Sequence, residues 1–252
     1  MLKYSNVSIA YQKKPIIKGF DTEFAKGKIT AIIGPNGSGK TTLLQVLNKS
    51  AKLAEGEITI DRKNIFSIPP KERAKLIAYL PQMREHIPSL PTRMMVEHGR
   101  FPYMGFSRLA REEDRRMIER AMRQTRVLEY ENCNLDTLSG GIRQRVFLAM
   151  ILAQDSEIVA LDEPTTFLDM KAQAEFLGMI NKLKELGKTV IVVLHDLHQA
   201  LSISDEILIM QRGQLIFKGI PEKCMESGVV ESVFGVTSYA IEVDKKTKYF
   251  FE

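Results

Sequence analysis

The eight residues GPNGSGKT, from Gly34 to Thr41, decide the fold of this chain. They match the pattern Gly-x-x-x-x-Gly-Lys-Thr of a phosphate-binding loop. The apolar run Ile29 to Ile33 before the loop predicts a strand, and the run Thr42 to Leu47 after it predicts a helix. The alternative is an ordinary glycine-rich turn, which would make the Lys-Thr pair and both flanking elements coincidences. This strand, loop and helix therefore predict a nucleotide-binding α/β core.

The loop is expected to hold a nucleotide by its phosphates, because glycines let successive backbone N–H groups point at one anion. Lys40 adds a positive charge for the β- and γ-phosphates, and Thr41 supplies a hydroxyl that can ligate Mg²⁺. The residues predicted to contact ATP here are Gly34, Pro35, Asn36, Gly37, Ser38, Gly39, Lys40, Thr41 and Thr42.

The length and composition predict one domain, residues 1–252, with an inserted lobe. The net charge of +5 arises from 36 basic and 31 acidic residues mixed along the chain, which favours a solvated surface over a nucleic-acid footprint. Cys133 and Cys224 have no metal-ligand spacing, so we expect inert thiols in a reducing cytosol. The longest apolar run, Val146 to Ala153, is too short for a bilayer, which needs about 20 residues. Work at a membrane would require another chain to cross it.

Hydrophobic patterning separates two kinds of strand. Continuous apolar runs at Glu157–Asp162 and Lys188–His195 predict strands covered on both faces, and the helical pattern of Ala172–Leu186 between them implies a parallel sheet. Short alternating patterns predict half-buried antiparallel strands at Tyr4–Ala10, Gly19–Phe24 and Glu57–Ile60.

A helical subdomain is expected at roughly residues 84–145, inserted into the core. Its charged segment Arg108–Glu131 has an apolar stripe, and Glu112 with Arg116 and Glu119 with Arg123 are supportive pairs four residues apart. Interspersed acidic residues make a basic binding stripe the weaker interpretation. The tail predicts small strands, including Gln214–Lys218, and a hairpin at roughly residues 237–252, without obvious chemistry.

Two carboxylates end the first buried run. Asp162 and Glu163 follow Ile158–Leu161, where ligands of open α/β sheets gather. Since neighbouring side chains diverge, Asp162 would support Mg²⁺ while Glu163 activates the water that attacks the γ-phosphate. The alternative is that this acidic pair only caps the following helix.

Other polar residues reach the same edge. His195 ends the second buried run and can contact the γ-phosphate or the attacking water, and a metal pair with His198 is disfavoured because no third ligand cluster appears. Gln82 ends a short strand at the entrance to the helical subdomain, where its amide oxygen can ligate Mg²⁺ or bridge to water.

A second glycine turn leads into a helix at Ser139, Gly140 and Gly141. One nucleotide rarely needs two such loops from one chain. The economical explanation is a head-to-tail homodimer in which each chain offers this loop to the triphosphate of the other.

Together these residues resemble the ATP-binding subunit of ABC transporters, over essentially the whole chain. GPNGSGKT resembles Walker A, LSGG at Leu138–Gly141 the signature, IVALDEP at Ile158–Pro164 Walker B, and Phe167–Asp169 the D-loop. The resemblance implies a P-loop NTPase core of RecA type, with an N-terminal antiparallel β-subdomain and an inserted α-helical subdomain. It implies further that Tyr11 stacks on adenine, that Gln82 is the Q-loop residue, that Asp169 and His195 act at the nucleotide, and that closing of the dimer moves permease subunits.

Within the family the chain is similar to ATPases of bacterial importers for iron-siderophore complexes, haem and cobalamin. Stretches that carry this similarity include YLPQ at Tyr79–Gln82, Gly99–Phe106 and VLHDLHQAL at Val193–Leu201. Ile142 stands where many members have glutamine, which is expected to weaken contacts across the dimer while leaving activity.

The expected function is ATP hydrolysis on the cytoplasmic face of the cell membrane, with ATP and Mg²⁺ as cofactors. The expected partners are a second copy, integral permease subunits and, indirectly, an extracytoplasmic substrate-binding protein. An exporter ATPase is one alternative. A soluble ABC-type ATPase acting on ribosomes or DNA is another, disfavoured because the chain has a single cassette and no coiled-coil insertion.

Overall fold

The computed structural model describes residues 1–11, 14–82, 89–105, 110–243 and 246–252, apart from the side chains of residues 11, 243 and 246–248. The chain forms two compact units. The first comprises Met1–Asp61 and Ile191–Glu252, and the second comprises Arg62–Val190. Each unit has its own core and its own set of candidate site residues.

Strands and helices alternate along most of the chain. The strands are β1 Leu2–Tyr11, β2 Lys14–Phe24, β3 Ile29–Ile33, β4 Lys52–Ile60, β5 Lys63–Asn64, β6 Ile77–Leu80, β7 Ile158–Asp162, β8 Thr189–Val193, β9 Glu206–Gln211, β10 Gln214–Gly219, β11 Ser238–Val243 and β12 Lys246–Phe251. The helices are α1 Lys40–Gln45, α2 Pro70–Leu76, α3 Thr92–His98, α4 Glu112–Gln124, α5 Gly140–Gln154, α6 Met170–Glu185, α7 Leu197–Ile203, α8 Pro221–Glu226 and α9 Val229–Phe234.

In the first unit, β1 pairs antiparallel with both β2 and β4. Side chains alternate between the two faces of β1 except at an irregularity between Tyr4 and Val7, and on the buried face Tyr4 meets Phe20 and Phe24 edge to face at centroid distances of 6.4 and 5.8 Å. The antiparallel prediction for these segments is confirmed.

The parallel sheet of this unit runs in the order β10-β9-β3-β8. Strand β9 pairs in parallel with β3, from Thr30↔Glu206 to Ile33↔Ile209, while β10 returns antiparallel to β9. Every residue of β3 and β8 is buried, which confirms the prediction from their continuous apolar runs. The carboxyl ends of β3 and β8 thus reach one edge, and the phosphate loop begins there.

In the second unit, β6 pairs in parallel with β7, from Ile77↔Ile158 to Leu80↔Leu161. Helices α3, α4 and α5 pack around a shared apolar core that includes Val96, Ile118, Met122, Val146 and Ala149. The two expected pairs on α4 form, with Arg116 Nε 3.3 Å from Glu112 and Arg123 Nη2 2.6 Å from Glu119. The exact limits of a helical subdomain stay a prediction, and residues 84 and 106 lie outside the described part.

The C-terminal region contains more helix than the sequence suggested. Strand β10 and the β11–β12 hairpin agree with the prediction, but α8 and α9 were not anticipated. Pro221 stands in the first turn of α8, and left-handed glycines, Gly228 and Gly235, flank α9. Six-residue helices are too short to show a clear apolar period, so the sequence pattern gave little sign of them.

Among the described residues, no helix combines the length and the apolar character needed to cross a membrane.

Candidate functional site

The phosphate loop of the first unit connects β3 to α1. Lys40 is only 5% exposed, and its Nζ donates to the carbonyl oxygens of Gly34 at 2.8 Å and Pro35 at 3.1 Å. The Ser38 hydroxyl is also buried and has no hydrogen-bond partner within the described residues. The Ser38 hydroxyl thus leaves a donor for an anion, and Lys40 brings a positive charge to the same loop; triphosphate oxygens fit that chemistry.

Close backbone packing explains the first glycine of the loop. A Cβ on Gly34 would lie 2.1 Å from the carbonyl oxygen of Met210 on β9, and the φ of Gly34 is 153°. The turn after β9 also holds the loop, because Gly213 N–H donates to Ser38 O at 3.0 Å. The β9–β10 turn therefore fixes the loop's position, a role that no sequence motif indicated.

His195 lies at the same edge of this sheet. Leu194 N–H donates to Ile32 O at 3.1 Å, so the chain leaves β8 beside the strand that enters the phosphate loop. His195 itself is exposed. His198 lies on α7, and its ring centroid is 5.0 Å from that of Phe251.

In the second unit, the end of β7 carries the predicted carboxylates. Asp162 is 1% exposed and accepts a hydrogen bond from the Tyr79 hydroxyl at 3.2 Å. Glu163 is half-buried with a φ of 48°, and its Oε2 accepts from Gln82 Nε2 at 2.5 Å. The structure thus brings Gln82, Asp162 and Glu163 together, and it adds Tyr79, which the sequence reasoning did not single out.

The second glycine turn starts α5, as expected. Ser139 is exposed and N-caps the helix, with Ile142 N–H donating to its Oγ at 3.4 Å. A Cβ on Gly141 would lie 3.1 Å from the Cβ of Ala172, so a glycine here lets α5 approach α6 closely. The Ser139 loop is therefore presented at the surface by a tightly packed helix pair.

Asp169 has a local structural role, and its action at the nucleotide stays a prediction. Its carboxylate accepts from Ala172 N–H at 2.8 Å and caps α6, so the cap of this helix is Asp169 and not Asp162 or Glu163. The side chain of Tyr11, predicted to stack on adenine, lies outside the described residues.

A glycine-rich phosphate loop with a buried lysine, beside parallel strands, defines a P-loop nucleotide-binding protein. The chain belongs to the ABC transporter family, whose model matches residues 17–166. It therefore binds ATP and is an ATPase of the ABC type.

The chain is also similar in sequence to individual ATP-binding proteins over most of its length. The chain is 38% identical to the iron(3+)-hydroxamate import ATP-binding protein FhuC of Bacillus subtilis, over 98% of this chain and 91% of the relative. It is 37% identical to the petrobactin import ATP-binding protein FpuC of Bacillus anthracis, over 94% and 87%. It is 34% identical to the ferric enterobactin transport ATP-binding protein FepC of Escherichia coli, over 96% and 89%.

Solved structures agree on the fold. A metal-chelate type ABC transporter in an inward-facing conformation superposes with a TM-score of 0.85 at 22% identity, over 100% of this chain and 96% of that one. The dimeric ABC transporter cassette MJ0796 gives a TM-score of 0.77 at 29% identity, over 88% and 99%. The P-loop core with antiparallel β-subdomain and inserted helices, expected from the sequence, is confirmed.

Proposed function

We propose that this chain is the ATP-hydrolysing subunit of a bacterial importer for iron-siderophore complexes, and that it works as a homodimer on the cytoplasmic side of separate permease subunits. The observation that carries the proposal is its similarity, over more than nine-tenths of its length, to ATP-binding proteins named for import of petrobactin and iron(3+)-hydroxamate and for transport of ferric enterobactin. The dimeric form of a related cassette supports the homodimer. A haem or cobalamin complex is the alternative cargo within the same group.

In this proposal the first unit binds the triphosphate. The Lys40 ammonium donates hydrogen bonds to the Gly34 and Pro35 carbonyls in this structure, and it would exchange these partners for the β- and γ-phosphate oxygens. The Ser38 hydroxyl would gain the partner it lacks among the described residues. His195 would contact the γ-phosphate, and Tyr11 would stack on the adenine.

The donor set fits a magnesium ion, which prefers hard oxygen ligands. In the second unit the Gln82 amide oxygen and the buried Asp162 carboxylate would be ligands, and the Thr41 hydroxyl stays the ligand predicted from the phosphate-loop sequence. When bound, Mg²⁺ neutralises charge on the β- and γ-phosphate oxygens.

Glu163 is the proposed general base. Its carboxylate is held by Gln82 at 2.5 Å, so its orientation depends on the residue that leads toward the α3–α4 region. This contact gives a physical route by which a permease bound near that region would influence hydrolysis.

The partner copy completes each site. The exposed Ser139, the two glycines that begin α5 after it and the exposed Asp169 would face the triphosphate of the other chain, so two nucleotides would be buried in the dimer.

Nucleotide binding and uptake test this function together. Lys40→Ala should weaken ATP affinity by about tenfold or more in titration calorimetry, because a charge-assisted contact is lost. In cells lacking the gene, the wild-type chain should restore uptake of ⁵⁵Fe carried by hydroxamate or catecholate siderophores, and Lys40→Ala should not. Undiminished uptake of all these complexes without the gene would refute the proposed cargo.

A further inference from the structure

Tyr79 is the residue of β6 that reaches the end of β7. It lies in register with Ala160, and residues two apart on a strand share a face, so its ring lies on the face that carries Asp162. Asp162 stands two positions further, about 6.6 Å along the strand. Because Ala160 is small, the ring can lie along β7 and bring its hydroxyl 3.2 Å from Asp162 Oδ2.

The two adjacent carboxylates are thus held by two residues from one segment. Tyr79 donates to Asp162, and Gln82, three residues later, donates to Glu163. Each contact fixes a carboxylate oxygen. Because the Asp162 carboxylate is only 1% exposed, water does little to fix its side-chain rotamer, and the hydrogen bond from Tyr79 contributes to fixing it.

We propose that the Tyr79 hydroxyl is a positioning group for magnesium: it holds one oxygen of Asp162 and so directs the other toward the metal that accompanies ATP. This inference rests on the proposed function, since it concerns the same metal site. Tyr79 acts through Asp162 and touches neither nucleotide nor metal.

If the Tyr79 hydroxyl positions Asp162 for magnesium, its removal should have an effect that a purely structural role of the ring does not predict. Removing the hydroxyl while keeping the ring should raise the Mg²⁺ concentration needed for nucleotide binding. Nucleotide binding without metal should not change, because the phosphate loop that binds the nucleotide is formed by other residues, Gly34 to Thr41.

The test uses the full chain and a non-hydrolysable analogue, adenylyl-imidodiphosphate, titrated by calorimetry in EDTA and at a series of Mg²⁺ concentrations. In Tyr79→Phe, the Mg²⁺ concentration that gives half of the maximal increase in nucleotide affinity should rise about three- to tenfold, which is the effect of one lost hydrogen bond to a charged group. Affinity in EDTA should stay within about twofold of wild type. Tyr130→Phe, which removes a hydroxyl from a tyrosine beside the apolar core of the helices, is the matched control and should show neither change.

A double-mutant cycle identifies the partner. In an Asp162→Asn background, adding Tyr79→Phe should change the Mg²⁺ requirement by less than about twofold, because the group through which it acts has lost its charge. An unchanged Mg²⁺ requirement in the single variant, or an equal loss of affinity in EDTA, would overturn the inference while the proposed function stands. If the wild-type chain bound no nucleotide, the proposed function would fail first.

Discussion

The buried ion pair between Arg100 and Asp114 offers the sharpest stability prediction. Their side chains are 5% and 4% exposed, and Arg100 Nε lies 2.9 Å from Asp114 Oδ1. Arg100 Nη1 also donates to Ala153 O at 2.8 Å, and its guanidinium stacks 3.8 Å from the Tyr103 ring centroid. This one side chain joins the start of α4 to the end of α5, whose other end presents the Ser139 loop.

Arg100→Met should therefore be costly. The substitution leaves Asp114 buried with its hydrogen bond from Arg111 N–H, at 3.0 Å, and without its cation. Removing one partner of a buried pair costs about 3–5 kcal/mol. With a urea m-value of about 3 kcal/mol/M for a chain of this size, the unfolding midpoint should fall by about 1 M or more.

Urea unfolding followed by circular dichroism at 222 nm measures this shift. Arg123→Met is the matched control. Arg123 and Glu119 form an exposed pair on α4, the helix that carries Asp114, and this pair contributes at most about 0.5 kcal/mol. Adding Asp114→Asn to Arg100→Met should recover at least about 1 kcal/mol, since it removes the unpaired charge. Equal midpoints for Arg100→Met and Arg123→Met would refute the reasoning.

Three further outcomes follow from the structure. Glu163→Gln should keep ATP binding and lose at least about a hundredfold in steady-state turnover, as expected for removal of a general base; normal turnover would contradict that role. In the same urea unfolding experiment, Gly34→Ala should lower the unfolding free energy by at least about 2 kcal/mol, because its Cβ would lie 2.1 Å from a carbonyl oxygen. Gly27→Ala, where φ is 70° and a Cβ would meet no atom within 4 Å, should cost only about 1 kcal/mol. Native protein should react with a thiol reagent at neutral pH at exposed Cys133 and not at Cys224, whose burial raises its pKa to about 12; rapid reaction of both would contradict this.

Much of the fold could be predicted because its signals are local. The apolar run Ile29–Ile33 before GPNGSGKT indicates a central strand and a phosphate loop without any knowledge of the rest of the chain, and all five of its residues are buried in the structure. The same holds for the run that ends at Asp162 and for the helical period of α6.

The missed features depend on residues far apart in sequence. Tyr79 meets Asp162 across 83 positions, and only the register of β6 on β7 brings them together. Likewise, Met210 limits the space at Gly34 because β9 returns beside β3. Pairings of this kind follow from topology, which hydrophobic periodicity does not specify.

The central proposal is that two copies of this chain close around ATP, with Ser139 serving the partner's nucleotide. Sedimentation velocity of Glu163→Gln, with and without ATP and Mg²⁺, tests it most directly. We expect a monomer without nucleotide, a dimer with it, and a monomer under both conditions once Ser139→Arg places a bulky cation in the exposed loop. A dimer of the Glu163→Gln/Ser139→Arg variant that forms with ATP as readily as that of Glu163→Gln would contradict the shared site.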